Sequence, residues 1–137
     1  MRRDVVIFDV NETLLDINAL APRFADLLSD VGLLRDWFGL LLRYSLEVTV
    51  TGDYHPFDEL AVGALLTTAD RAGRTVATGE ASALVDAMTD LPAHPDAAPG
   101  LAMLHEAGFR LATLTNSRLD AVRSQLANAA LCLLYTS

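Results

Sequence analysis

Two short polar clusters in this sequence combine residue types that do chemistry together. The first is Asp9-Val10-Asn11-Glu12-Thr13, leading through Leu14-Leu15 to Asp16; the second is Thr115-Asn116-Ser117. A carboxylate is ionised at neutral pH and becomes a nucleophile when a rigid element holds it in line with an electrophilic centre. Hydroxyls and amides such as those of Thr13, Asn11, Thr115 and Asn116 hydrogen-bond anionic substrates and developing charge. Asp9 directly follows Val5-Val6-Ile7-Phe8, an apolar run with three β-branched residues. That run predicts a strand buried on both faces of a parallel sheet. Ligands bind at the carboxyl edge of such a sheet, because loops leave it there and helix N-termini point at it. On position alone, Asp9 has an alternative reading as a helix N-cap or a loop acceptor.

The elements that must position these clusters follow from spacing. Leu20, Phe24, Leu27, Leu28 and Val31 make one stripe of a helix over 18–31, with Gly32 as its stop. Trp37, Leu40, Leu41, Tyr44 and Val48 predict a second helix over 34–50, its β-branched end Val48-Thr49-Val50-Thr51 fraying into a loop. A third spans 57–72 before Gly73, and a fourth spans 80–91, with Pro92 and Pro95 at its exit. Trp37, Tyr44 and Phe57 read as the core of this helical bundle. A plain crossover between parallel strands needs only about a dozen residues or more. The stretch 17–92 is far longer and predicts an inserted helical cap.

The α/β pattern resumes after it. Asp96 is placed to N-cap a helix whose buried face holds Leu101, Leu104 and Met103, closed by Gly108. Phe109 to Leu114 reads as a second strand, with Thr115 at its carboxyl end. Ser117-x-x-Asp120 reads as a capping box opening a helix over 118–128. A right-handed parallel connection brings Thr115 beside Asp9. The domain reading is therefore a core of 1–16 and 93–128 and a helical cap of 17–92.

Composition narrows the partners. The 137 residues are 52% hydrophobic and 20% charged, as folded chains are, and the formal charge of −8 argues against nucleic acid and anionic membranes. The apolar run after Met1-Arg2-Arg3 is too short for a signal peptide and no run has the length of a membrane span, so a cytoplasmic location is expected. Cys132 stands alone and reads as a small apolar filler. His55, His94 and His105 lie in no metal-ligand spacing, so no metal is expected and the histidines read as surface or structural residues.

Phe-Asp-x-Asn-x-Thr-Leu-Leu-Asp over 8–16 resembles the first motif of the haloacid dehalogenase superfamily, most closely its type II haloacid dehalogenase branch. Leu-Thr-Asn-Ser over 114–117 resembles the second motif. The resemblance implies an α/β fold, a haloacid-dehalogenase-like Rossmannoid parallel sheet with an inserted helical cap. It further implies that Asp9 attacks C2 of a short 2-haloacid and forms an aspartyl ester that water cleaves. Thr115 joins Asp9 as a catalytic residue and Thr13 pins the loop. Val10, Asn11 and Asn116 bind substrate. No cofactor is implied, and magnesium enters only under the alternative of a phosphatase on the same fold. Asn11 stands where phosphatases of the superfamily carry a second aspartate, and an amide cannot protonate a leaving group as that acid does. The implied partner is a small organic acid, and a homodimer of the intact parent stays open.

Two departures from the family pattern stand out. Trp37 is followed by Phe38 where characterised dehalogenases have an arginine, and Arg43 further on does not match that motif. All ten cations are arginine, so the lysine of the third motif is missing. The tail 129–137 continues no clear element and reads as truncated or foreign. The chain accordingly reads as an amino-terminal fragment exposing apolar surface, and as written it is expected to be inactive, a third reading being a non-catalytic remnant.

Overall fold

In the computed structural model the described residues are 4–131; Met1-Arg2-Arg3, Cys132 and the rest of the tail beyond it lie outside them. The fold is α/β, mostly helical around a two-stranded parallel sheet. Its elements are β1 (Val5–Phe8), α1 (Ala21–Leu28) after a 3₁₀ turn at Ile17–Leu20, α2 (Leu33–Thr51), α3 (Phe57–Arg71) and α4 (Thr78–Asp86), followed by a 3₁₀ turn at Ala87–Asp90. Then come α5 (Ala97–Glu106), β2 (Arg110–Thr113) and α6 (Leu119–Asn128). The chain divides into two compact units. One takes the residues up to Ile17, Thr89–Thr115 and those from Leu119 onward; the other takes Asn18–Met88 with Asn116–Arg118.

In the sheet unit β1 and β2 pair in parallel, Val5 opposite Arg110 and Phe8 opposite Thr113. The ladder is extended at both ends, by the Arg110 N–H donating to the Asp4 carbonyl at 3.0 Å and the Leu114 N–H to the Phe8 carbonyl at 2.8 Å. β1 is not buried on both faces as its apolar run predicts: Val5 and Ile7 are 47% and 61% exposed. Burial alternates along the strand, Val5 and Ile7 falling on the open face and Val6 and Phe8 on the partly buried one. The core of the unit comes from the segment after β1, with Val10, Leu15 and Ile17 fully buried, together with Leu101 of α5 and Leu131.

α5 shows two further departures. Met103 is 70% exposed rather than on the buried face, because it stands two positions beyond Leu101, on the far side of a 3.6-residue helix. Asp96 occupies the N-cap position, yet its backbone is already helical (φ −91°, ψ −8°) and its carboxylate makes no capping bond. α6 opens at Leu119, just after the start read from the capping box.

In the helical unit, α1 ends at Leu28 and the left-handed turn falls at Ser29 (φ 56°), not at Gly32, which instead precedes α2 with a helical φ of −60°. α2 does not fray over its β-branched end; it runs to Thr51. The Thr49 hydroxyl donates to the Ser45 carbonyl at 2.7 Å and that of Thr51 to the Glu47 carbonyl at 3.0 Å, giving the threonines local partners within the helix. Gly52, at φ 73°, supplies the left-handed residue that closes it, its N–H donating to the Val48 carbonyl. Trp37 is fully buried, its ring 5.3 Å from that of Phe24, and its indole N–H donates to the Ala61 carbonyl of α3 at 2.9 Å. Tyr44 reaches the Thr67 hydroxyl at 3.3 Å and Phe57 is buried, so all three aromatics pack in or line the bundle.

Candidate active site

Asp9 is the first residue after β1, and Thr115 follows β2 by two positions, so both leave the carboxyl ends of adjacent, hydrogen-bonded parallel strands. Asp9 is exposed and Thr115 half-buried. The placement follows from the register: Phe8 at the end of β1 is opposite Thr113 at the end of β2, and the polar residues of both motifs follow within two positions.

The loop after Asp9 is a closed turn. The Val10 carbonyl accepts from the N–H groups of Leu14 at 2.9 Å and Leu15 at 3.1 Å, and the Glu12 N–H donates to the Leu15 carbonyl at 2.9 Å. Glu12 sits at its apex with φ 66°, a left-handed conformation in which few L residues are found. Thr13 lies exposed in this turn, whose closure comes from main-chain bonds. The antiparallel bridge between Leu15 and Ala93, the Asp16 N–H donating to the Pro92 carbonyl at 2.8 Å, and the His94 N–H donating to the Leu14 carbonyl at 2.9 Å tie the far side of the turn to the segment before α5.

Val10 is fully buried and Asn11 is 6% exposed. The Asn11 side chain turns inward, its Oδ1 accepting from Nε2 of Gln125 on α6 at 3.0 Å. Asn116 is not grouped with Asp9: it belongs to the helical unit, where its amide donates to the Ser45 hydroxyl at 2.9 Å.

Two residues with no catalytic pattern in the sequence enter the neighbourhood of the motif, Gln125 and His94. His94 Nε2 stands 3.0 Å from the Glu12 carbonyl and 3.6 Å from the Glu12 carboxylate. Glu12, Asp16 and His94 each offer one potential ligand atom within 4.8 Å of the others, a grouping that chain spacing did not show. All three residues are partly buried. Separations of 82 and 114 residues explain why neither His94 nor Gln125 carries a local signal.

The remaining charged candidates are exposed. Arg43 is solvent-exposed and pairs with Glu47 at 2.8 Å, and this hydrogen-bonded carboxylate raises the guanidinium pKa further above its ordinary value. His55 is exposed beside Asp53 and Glu59, and His105 is exposed on α5. No helix among the described residues is long and apolar enough to cross a membrane.

The chain is 34% identical over 125 residues to (S)-2-haloacid dehalogenase 1 of Pseudomonas sp. (strain CBS-3), covering 88% of this chain and 54% of that protein. It superposes on the L-2-haloacid dehalogenase from Xanthobacter autotrophicus with chloropropionic acid covalently bound at a TM-score of 0.88 and 26% identity, covering 98% of this chain and 55% of that one. A second dehalogenase structure aligns at a TM-score of 0.85 and 30% identity, covering 98% of this chain and 60% of the other. The chain thus spans about half the length of the relatives it matches. Residues 3–134 match the model of the haloacid dehalogenase-like hydrolases, and the chain belongs to that family.

Proposed function

We propose that the protein hydrolyses the carbon–halogen bond of short 2-haloacids, with Asp9 as nucleophile. An Asp9 carboxylate oxygen attacks C2 from the side opposite the halogen. The carbon–oxygen bond forms as the carbon–halogen bond breaks, and halide leaves with the bonding electrons. Water then adds to the Asp9 carboxyl carbon, the acyl–oxygen bond of the ester breaks, and the 2-hydroxyacid leaves with inverted configuration as the carboxylate is restored and one proton is released. Holding nucleophile and carbon in line accounts for much of the rate, since it converts a bimolecular encounter into an intramolecular step.

The Thr115 hydroxyl and the main-chain N–H groups of Val10 and Asn11 hydrogen-bond the substrate carboxylate. The scheme needs no general acid, because halide departs without a proton, and it invokes no cofactor. Asn11 weighs against phosphoryl transfer: it is neutral and buried, and its carbonyl is committed to Gln125. The haloacid relatives support the substrate class, and the covalently bound chloropropionic acid in one of them supports an ester intermediate.

The observation that carries the proposal is the placement of Asp9 and Thr115 past the carboxyl ends of paired parallel strands. The test uses the protein extended to the length of those relatives, with 2-chloropropionate in the presence of a chelator. Halide is released, Asp9→Asn lowers the rate by at least about a thousandfold, and a single turnover in ¹⁸O-water labels the Asp9 carboxylate rather than the product. Unchanged release by Asp9→Asn, or label appearing directly in the hydroxyacid, sinks it. The 137-residue chain alone, which has no lysine, is expected to release none.

A further inference from the structure

We propose that His94 is a positioning residue for the loop carrying Asp9, acting through the Glu12 carbonyl. Its catalytic meaning rests on the nucleophilic role proposed for Asp9; its physical content does not. Between Val10 and Asp16 the chain folds back on itself around Glu12, whose φ of 66° is unfavourable for a residue with a Cβ. Such a conformation persists only where its surroundings hold it. The main-chain bonds between 14–16 and 92–94 hold the far end of the turn, and any residues would form them. The imidazole adds a side-chain hold at the apex: Nε2 donates to the carbonyl of the strained residue itself, at 3.0 Å.

Three features make that contact a built one. Pro95 restricts the residue before it to extended backbone, which sets the direction from which His94 approaches. The His94 and Glu12 side chains are about three-quarters buried, so water competes poorly for the carbonyl. The Glu12 carboxylate lies 3.6 Å from the same nitrogen, adding attraction whenever the ring is protonated, with Asp16 the other carboxylate of the group. Glu12 is three residues from Asp9, and the same turn contains Val10 and Asn11, so a loosened apex displaces nucleophile and donors together. Displacements on the order of 1 Å matter for in-line attack.

The test is amide hydrogen exchange on the 137-residue chain. In His94→Ala the Glu12, Leu14 and Leu15 amides exchange about tenfold faster, the size expected for one lost hydrogen bond, while the α3 amides keep their rates. His94→Gln, whose side-chain N–H reaches the same place, restores protection. In a Glu12→Gly background, where the left-handed conformation costs little, the effect of His94→Ala shrinks. Unchanged rates at Glu12, Leu14 and Leu15 in His94→Ala overturn the proposal. So does uniform acceleration through α3, or failure of His94→Gln to rescue. Because exchange is read without turnover, these outcomes are independent of halide release by Asp9→Asn.

Discussion

A buried amide pair shows how one residue's chemistry is set by another far away in sequence. Asn11 and Gln125 are 6% and 3% exposed, and the 3.0 Å bond between their side chains satisfies the Asn11 carbonyl where water does not reach. Removing one partner of a buried pair leaves the other desolvated without compensation. Gln125→Leu is therefore expected to lower stability by about 1–3 kcal/mol in urea denaturation, and a loss within error would show the pair to be replaceable by packing. Asn11 itself could be singled out from sequence because it stands two residues after Asp9. Its inward orientation could not, since it depends on where α6 comes to rest.

At the scale of elements, α2 shows local propensity being overridden. Its β-branched end predicts fraying, yet Thr49 and Thr51 donate back to carbonyls of the preceding turn and Gly52 closes the helix. Near the start of the same helix Trp37 joins α2 to α3, both through ring burial and through the 2.9 Å bond to the Ala61 carbonyl. Trp37→Phe is expected to cost about 1–2 kcal/mol, mainly the lost hydrogen bond, and Trp37→Ala about 3–5 kcal/mol through the cavity it opens. Thermal or urea melts read both; equal costs for the two would mean that ring volume contributes little. Phe38, the residue where the family pattern has an arginine, is 8% exposed and contributes its ring to the same cluster, 6.3 Å from Trp37.

At the scale of the whole molecule, the sheet leaves apolar side chains open to solvent. Val5, Ile7 and Leu114 are 47%, 61% and 73% exposed on and beside two short strands. Apolar side chains on an open sheet are an aggregation hazard. Ile7→Thr, which keeps β-branching, is expected to reduce dye binding and aggregation of the 137-residue chain with a stability change of about 0.5 kcal/mol or less. Light scattering checks it, and undiminished aggregation would place the sticky surface elsewhere.

What could be read in advance was what short-range periodicity encodes. The apolar run before Asp9, the helical stripes and the glycine stops at Gly73 and Gly108 are local consequences of side-chain shape and backbone freedom, and they located the strands, most helices and both polar motifs. The exposed face of β1, the turning of Met103 to solvent, the Asn11–Gln125 pair and the hold of His94 on Glu12 depend on which segments meet. Contacts between residues 82 or 114 positions apart leave no period in a chain. Only tertiary packing, which satisfies or strands each buried polar group as a whole, decided them.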